Sequence, residues 1–324
     1  MLDFFGTIGG AIMTPLYYAV SFILVGFHRG LTAIGFDAAG GWTWILSIIG
    51  LTLVVRTALI PLFVKQIKSS RNMQLIQPKV RELQKKYGHD REKLAQETMK
   101  LYKDSGTNPF ASCLPILLQM PIFLALFRML DQAARRGKAH GFMDSTLAGQ
   151  FRDATFLGDI KVSGTLTGGE PGVMIVAGIL VVAMTATTFM TQRQLMSKNM
   201  PADALSGPYA QQQKMLLYVL PVVFAVGGVA FPIGVLVYWT ISNLWTMCQQ
   251  FYVIRNNPAP GTPAADAKEQ RDRAKAEKKG LKTPAQIEEE RIAAEADARR
   301  EAKASTRTQP QRQTKAQRSS KKKK

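Results

Sequence analysis

The chain has 324 residues, and its 42 lysines and arginines outnumber 23 acidic residues, which gives a net charge of +19. Having only two cysteines excludes a secreted scaffold held together by disulfides. Apolar runs of about 20 residues argue against a single soluble domain, because a run of that length crosses a hydrocarbon layer about 30 Å thick. The average composition hides two different halves: residues 42–254 contain the apolar runs, whereas residues 255–324 contain 20 basic and 10 acidic residues.

An early apolar run, residues 8–27, carries no charged residue. It fits a transmembrane span, a signal peptide or a helix lying at the membrane interface. A signal peptide needs a basic segment before its apolar run, and the residues before this one offer only Asp3. A crossing helix would export His28 and the basic residue after it while Asp3 stayed inside, against the usual charge rule. We therefore expect residues 1–41 to form an interfacial or partly inserted helix.

Five later runs are each long enough to cross the bilayer, and none contains aspartate or glutamate. One run of this length is already typical of a transmembrane helix, and five in one chain predict an all-α polytopic membrane protein with a five-helix transmembrane core. In chain order the predicted spans are residues 42–64 (TM1), 110–130 (TM2), 172–190 (TM3), 215–231 (TM4) and 234–254 (TM5).

Residues 65–109, between TM1 and TM2, predict a cytoplasmic helical hairpin. Pro78 suits the first turn of a helix, Gly88 can end that helix, and Asp90 can cap the next one. The hairpin is either a solvated charged element or a mobile paddle that receives substrate or touches lipid headgroups.

The distribution of basic residues predicts the orientation of the chain. Residues 65–109 carry eleven of them, and the loop 191–214 carries three against one acidic residue, whereas the loop 131–171 carries five balanced by five. We therefore place the first two segments and the tail 255–324 in the cytoplasm. The loop 131–171 and the N-terminus then lie outside, and TM1 enters the membrane from the outside.

Arg56 is the one charged residue of TM1. At 1.5 Å per residue it lies about 21 Å along the helix from Trp42 and about 12 Å from Val64, which is inside the hydrocarbon layer. No predicted span offers a carboxylate to pair with it, and burying an arginine there costs about 2.5–3.5 kcal/mol. Either its side chain snorkels to the headgroups, or it faces a hydrated groove between helices.

The groove interpretation draws on uncharged polar side chains in and beside the other spans. Each of them taken singly is typical of contacts that hold helices together, but as a set around one unpaired cation they predict a hydrated cavity. These residues are Gln119, Thr185, Thr187, Thr188, Gln192, Thr240, Ser242, Asn243 and Gln249.

A groove with a positive charge and no acid supports little enzyme chemistry. Proton or sodium relays use acidic residues or histidine, and the three histidines lie outside the five predicted spans. The sequence lacks the His-Glu-x-x-His motif of zinc peptidases and the Gly-x-x-x-x-Gly-Lys-Ser/Thr phosphate loop. We therefore expect a protein that is not an enzyme and that holds no metal and no cofactor.

Three stretches carry a family resemblance. TM1 and its flank read LTLVVRTALIPLFVKQIKSSRNMQLIQPKVRELQKKYG, the approach to TM2 and TM2 itself read KLYKDSGTNPFASCLPILLQMPIFLALFRML, and TM5 reads GVLVYWTISNLWTMCQQFYV. Together they resemble the YidC/Oxa/Alb membrane protein insertases, most closely the Gram-positive, actinobacterial type. The resemblance covers roughly residues 1–255.

The resemblance implies an outside N-terminus, a cytoplasmic C-terminus and a hydrophilic groove that opens to the cytoplasm and to lipid. Arg56 matches the groove arginine of the family, and we expect Gln119, Gln192, Trp239 and Asn243 to complete the substrate-binding groove. The polar part of a nascent membrane protein enters such a groove, and its apolar segment then moves into lipid. No nucleotide hydrolysis is needed.

The tail 255–324 is rich in alanine and charged residues and ends in four lysines. We expect partial helix over residues 264–304 and disorder elsewhere, and basic blocks of this kind bind RNA or anionic lipid. The expected partners are nascent membrane proteins, the ribosome and anionic lipids, with a Sec translocon as a further candidate, but not DNA. The expected location is the bacterial plasma membrane.

Two other functions compete with insertion. An anion-selective channel or carrier for small solutes would use Arg56 as its anion site, and such carriers are typically built from internal repeats. A basic scaffold that tethers ribosomes to the membrane would not need an arginine inside a span.

Overall fold

The computed structural model describes residues 2–106, 114–199, 208–282 and 284–307. Over these residues the chain forms eleven α-helices and one antiparallel pair of short strands, in two compact units, Met1–Ala265 and Asp266–Lys324. The elements are α1 (Leu2–Ala33), α2 (Gly41–Ala58), α3 (Ile60–Tyr87), α4 (Arg91–Asp104), α5 (Leu114–Arg136), α6 (Ser145–Asp153), β1 (Thr155–Phe156), β2 (Ile160–Lys161), α7 (Pro171–Asn199), α8 (Pro208–Gly228), α9 (Ile233–Asn256), α10 (Pro263–Lys279) and α11 (Pro284–Arg307).

The predicted all-α class is confirmed for the described residues. Two of their helices, α2 and the stretch Pro171–Lys198 of α7, are long and apolar enough to cross a membrane, and a shorter apolar stretch, Leu217–Gly228, lies in α8. Helix α9 contains a threonine, a serine and an asparagine in its middle turns, which lowers its hydropathy. The five-span core and its boundaries stay a prediction.

The predicted TM1 is divided between two helices. Helix α2 ends at Ala58 and α3 begins at Ile60, with Pro61 in its first turn. Proline has no N–H group, so the helical hydrogen-bond ladder is interrupted at this point. Arg56 therefore lies in the last turn of α2, immediately before the interruption.

The helix end at Gly88 and the cap at Asp90 are those that the sequence predicts, but the prediction that Pro78 lies in a first turn is wrong, because α3 begins at Ile60 and continues through Pro78. Helix α3 ends at Gly88, and the Asp90 carboxylate caps α4 by accepting a hydrogen bond of 3.0 Å from the Lys93 N–H. Residues 107–113, which complete the predicted hairpin and begin the predicted TM2, lie outside the described residues.

Helix α9 lies at the centre of the first unit, where it contacts α2, α5 and α7, and α8 packs against α7. The segment 131–171, predicted as a loop, folds into α6 and the strands β1 and β2. It pairs with the start of α9, because the Ile233 N–H donates to the Gly164 carbonyl and the Gly234 N–H donates to the Val162 carbonyl, both at 2.9 Å.

Helix α1 packs against α2 and α5. Its middle contacts the segment that follows α5: the rings of Tyr17 and His140 lie 4.6 Å apart, and the Phe142 N–H donates to the Ser21 hydroxyl at 2.8 Å. Farther along α1, the His28 Nε2 donates to the Ala38 carbonyl at 2.9 Å. The middle of α1 thus lies beside the end of α5, and these contacts favour the interfacial helix, which stays a prediction.

Gly141 is where the backbone of the loop comes closest to α1. A Cβ atom at this position would collide with the Ser21 hydroxyl and lie 2.9 Å from the Tyr17 carbonyl, and the glycine has a φ of +59°. We expect Gly141→Ala to push the loop off α1 and to break the Phe142–Ser21 hydrogen bond. Hydrogen exchange at the Phe142 amide should then become faster in the purified protein. Gly149→Ala, where a Cβ meets no atom within 4 Å, should leave that exchange unchanged.

We expect two histidines to make the docking of α1 sensitive to pH. Burial lowers the pKa of His28 below its ordinary 6.5, and Arg29 adds to this effect by repulsion. Burial and the nearby Lys138 lower the pKa of His140 in the same direction. A released α1 would bind more protons than a docked one, so docking is complete above about pH 6.5 and weakens as the pH falls below that value.

The expected result is a longer distance between spin labels at the exposed positions 22 and 146 when the pH is lowered from about 8 to about 5. His28→Gln should reduce the change, whereas His89→Gln, at an exposed position beside α4, should preserve it. A distance that stays constant over this range would contradict the prediction.

Candidate functional site

Arg56 lies in the last turn of α2, within electrostatic range of Tyr238 on α9. Its side chain is partly buried and interacts electrostatically with the Tyr238 hydroxyl. Among the described residues no carboxylate forms an ion pair with it. A guanidinium stays charged under physiological conditions, so the site presents a positive charge that the neighbouring helices leave unneutralised.

Tyr238 begins a row of polar side chains on α9. The Tyr238 side chain is buried, and Ser242, one turn later, is buried as well. Residues four apart lie on one face of a helix, so Tyr238 and Ser242 give α9 a polar strip that begins beside Arg56.

A second polar contact joins α9 to α7. The Asn243 amide donates to the Thr188 hydroxyl at 2.9 Å and to the Met184 carbonyl at 3.3 Å. Thr188 in turn donates to the Met184 carbonyl at 2.8 Å, so its hydroxyl can accept from Asn243. Gln192 follows Thr188 by one helical turn on α7 and is partly buried.

Trp239 lies among aromatic rings rather than beside the arginine. The distances from its ring centroid are 5.0 Å to Phe123, 4.8 Å to Phe224 and 5.7 Å to Phe231. Gln119 precedes Phe123 by one turn of α5 and is partly buried. The pairs with Phe123 and Phe224 are edge-to-face and the pair with Phe231 is stacked, and both arrangements are favourable packing. The cluster therefore closes the space between α5, α8 and α9.

The structure thus brings the predicted groove residues to helices that contact one another, but in two groups. Arg56 faces Tyr238, and Asn243 contacts Thr188, which lies one turn before Gln192. Trp239 instead belongs to the aromatic cluster, and Gln119 lies one turn of α5 before Phe123 of that cluster. Sequence reasoning missed Tyr238, although it begins the Tyr-Trp-x-x-Ser-Asn motif. Its spacing of four from Ser242 is the signal that places both on one face of α9. The assignment of these residues to a substrate groove stays a prediction.

The chemistry of the site is attraction rather than bond making. A half-buried cation beside hydroxyl and amide groups attracts carboxylates and other polar groups as they leave water. The described residues contain no group of three or more histidine, cysteine or acidic side chains that would hold a metal ion.

Known proteins match the chain over most of this unit. The family model described as "60Kd inner membrane protein" matches residues 35–260. A Streptomyces avermitilis protein named membrane protein insertase YidC is 48% identical over 257 residues, covering 76% of this chain and 59% of that protein. Namesakes from Tropheryma whipplei and Bifidobacterium longum are 38% and 36% identical, and the matches cover 89% and 87% of those proteins.

A solved crystal structure of an active YidC insertase is similar with a TM-score of 0.44 at 23% identity, over 73% of this chain and 45% of that one. The chain spans about three fifths of the length of the Streptomyces protein.

The protein is an all-α protein of the bacterial plasma membrane. It belongs to the 60Kd inner membrane protein family, that is, to the YidC/Oxa/Alb family, and within it to the Gram-positive type. The family resemblance drawn from the motifs is confirmed.

Proposed function

We propose that the protein is a membrane protein insertase and chaperone that receives nascent chains in a hydrated groove around Arg56. The observation that carries this proposal is a half-buried arginine without a carboxylate partner among the described residues, next to the polar strip of Tyr238 and Ser242. The relatives named as insertases support the same function. They give no support to an anion channel or carrier.

The groove that we propose is bounded by α2, α5, α7 and α9. Arg56, Gln119, Gln192 and Asn243 line it, and Trp239 with its aromatic neighbours closes it at the end where α9 begins. A polar terminus or loop of the substrate enters from the cytoplasm and is attracted by the guanidinium. Because the groove is hydrated, the substrate's polar groups have a shorter stretch of hydrocarbon to cross. Its apolar segment then moves sideways into lipid, driven by its own transfer free energy.

The proposed orientation has the N-terminus outside, five spans and the C-terminus inside. The basic residues of the segments 65–109 and 191–214 support it. The contacts of the segment 131–171 support it as well: it pairs with the start of α9, and its strand β1 lies against Gly41 at the start of α2. The starts of both helices therefore lie on one side, as an alternating topology requires.

Photocrosslinking from single positions tests the groove. Crosslinkers at Gln119, Gln192 and Asn243 should capture a nascent membrane protein stalled on the ribosome. The matched control is Val182 of α7, which is 68% exposed. Equal capture from the control and the groove positions would refute a defined groove, and so would capture from none of them.

We further propose that the basic tail docks the ribosome, with anionic lipid headgroups as the alternative partner and a Sec translocon as a neighbour in the membrane. Support comes from the tail's 20 basic residues and from its helices α10 and α11, which extend over much of residues 264–304 as the composition predicts. Within the second unit the Lys282 ammonium pairs with the Glu290 carboxylate at 2.6 Å, which joins the turn before α11 to that helix.

Removing the tail should weaken co-sedimentation with ribosomes at low salt by about tenfold or more, because multiple phosphate contacts are lost. The truncation should end after Ala265, because Ala259 and Thr262 are buried in the first unit and hydrogen-bonded to each other. Replacing only Lys321–Lys324 with glutamine should give a smaller loss. Unchanged ribosome binding by the truncated chain would contradict the proposal. Retained binding to lipid vesicles would not bear on ribosome docking.

A further inference from the structure

The tip of the hairpin between β1 and β2 combines two unfavourable features at one residue. Leu157 has a φ of +49°, and it is the only residue other than glycine with a positive φ in the part of the chain that the structure describes. A left-handed backbone is unfavourable for a residue with a side chain, because its Cβ atom comes too close to the following carbonyl oxygen. The Leu157 side chain is also 64% exposed. Glycine would remove both costs, so a leucine here indicates contact with something outside the chain.

The hairpin holds this leucine at the start of α2. The position of a Cβ on Gly41 lies 2.7 Å from the Thr155 carbonyl, so the strand lies directly on the first turn of the helix. The next residue, Phe156, is buried, and its ring contacts that of Trp42 at a centroid distance of 5.6 Å. Leu157 follows immediately, beyond this anchored pair.

Further large apolar side chains are exposed at the start of α2 and in the turn before it. Trp42 is 48% exposed, and Ile34 and Phe36, in the turn between α1 and α2, are 73% and 40% exposed. We call Ile34, Phe36, Trp42 and Leu157 the apolar rim.

The position of the rim at the start of α2 points to lipid as the partner that covers it. Gly41 begins a helix that is long and apolar enough to cross a membrane, so the first turn of α2 lies at the level of the lipid headgroups. Tryptophan concentrates at that level, because its ring is apolar while its N–H remains in water. The charged residues of the turn and the hairpin are of both signs, Asp37, Asp159 and Lys161, which suits a phospholipid surface rather than a partner of one charge.

We propose that the apolar rim, with Leu157 at its tip, inserts into the boundary between headgroups and acyl chains in the leaflet where α2 begins. The rim then fixes the segment 131–171 to the bilayer surface. The proposed orientation of the chain makes this the outer leaflet, but the contact itself depends neither on that orientation nor on insertase activity.

The test places an environment-sensitive fluorophore at the tip. Leu157→Cys is labelled in the full chain after Cys113 and Cys248 are replaced with serine, and the protein is reconstituted into phosphatidylcholine–phosphatidylglycerol vesicles. We expect a blue-shifted emission that is quenched more strongly by lipids brominated near the headgroup than by lipids brominated near the chain end. The control is Thr146→Cys, an exposed position at the start of α6 in the same segment, which should emit as in water.

Three results would overturn the proposal: water-like emission from position 157, equal quenching at positions 157 and 146, or protection of position 157 only when another protein is present. A second variant separates lipid contact from packing within the chain. Leu157→Gly should keep or raise the thermal midpoint in detergent, because the backbone strain is relieved, and should reduce the further rise on transfer to lipid. A lower midpoint in detergent would assign Leu157 to internal packing instead.

Discussion

Arg56→Ala is expected to reduce the insertion of substrates that depend on the groove by at least tenfold, without unfolding the protein. Hydrogen bonds to charged groups contribute about 1.5–3 kcal/mol, and about 1.4 kcal/mol is a tenfold change in rate. The side chain has no ion-pair partner among the described residues, so its loss leaves no opposite charge uncompensated. Because an arginine inside the bilayer is costly, the thermal midpoint of the variant in detergent should stay equal or rise.

Insertion into proteoliposomes measures the first quantity and thermal unfolding the second. Arg56→Lys keeps the charge without the planar fork and should retain part of the activity. The matched control is Arg128→Ala, in which an exposed arginine of the predicted TM2 is removed, and its insertion should be close to normal. Normal insertion by Arg56→Ala would exclude the proposed mechanism, and a large drop in its midpoint would make the arginine a structural residue.

Trp44→Ala is expected to have the largest effect on stability. The side chain is fully buried near the start of α2, with ring centroids 4.1 Å from His28 and 5.3 Å from Phe151, so it joins α1, α2 and α6. Removing a buried tryptophan costs about 3–5 kcal/mol. At about 2–4 °C per kcal/mol for a chain of this size, the apparent midpoint should fall by roughly 10 °C.

Thermal unfolding in detergent, compared at one scan rate, checks this value. The control is Trp42→Ala, two residues earlier on the same helix, where the partly exposed side chain should cost less than about 1 kcal/mol. The Trp44 Nε1 has no hydrogen-bond partner in the described part of the chain, so Trp44→Phe should lose packing volume but no hydrogen bond and should lie between the two. Equal midpoints for the two alanine variants would show that Trp44 does not hold the three helices together.

Local features of the sequence predicted much of the structure. The Asp90 cap, the end of α3 at Gly88 and the helices of the tail follow from side-chain chemistry that acts over a few residues. The family was evident from short motifs.

The fold of the segment 131–171 was not predictable in the same way. Its strands are two residues long, and they are held by Thr155 against α2 and by Val162 and Gly164 against α9. Those partners are far away in the chain, so no local pattern records them.

The site shows the same division. Arg56 was identified from the sequence alone, because a charged residue in an apolar run without acidic residues can be recognised without knowing how the helices pack. Which side chain lies beside Arg56 depends on how α9 is rotated about its axis. Tyr238 and Trp239 are adjacent in the sequence, so the sequence alone does not show which of them faces Arg56. The sequence by itself therefore determined a helical membrane protein of this family with an arginine deep within a predicted span. Only the packing of α2, α7 and α9 decided that Tyr238 faces that cation while Trp239 turns to an aromatic cluster, since helix rotation is fixed by contacts between distant segments.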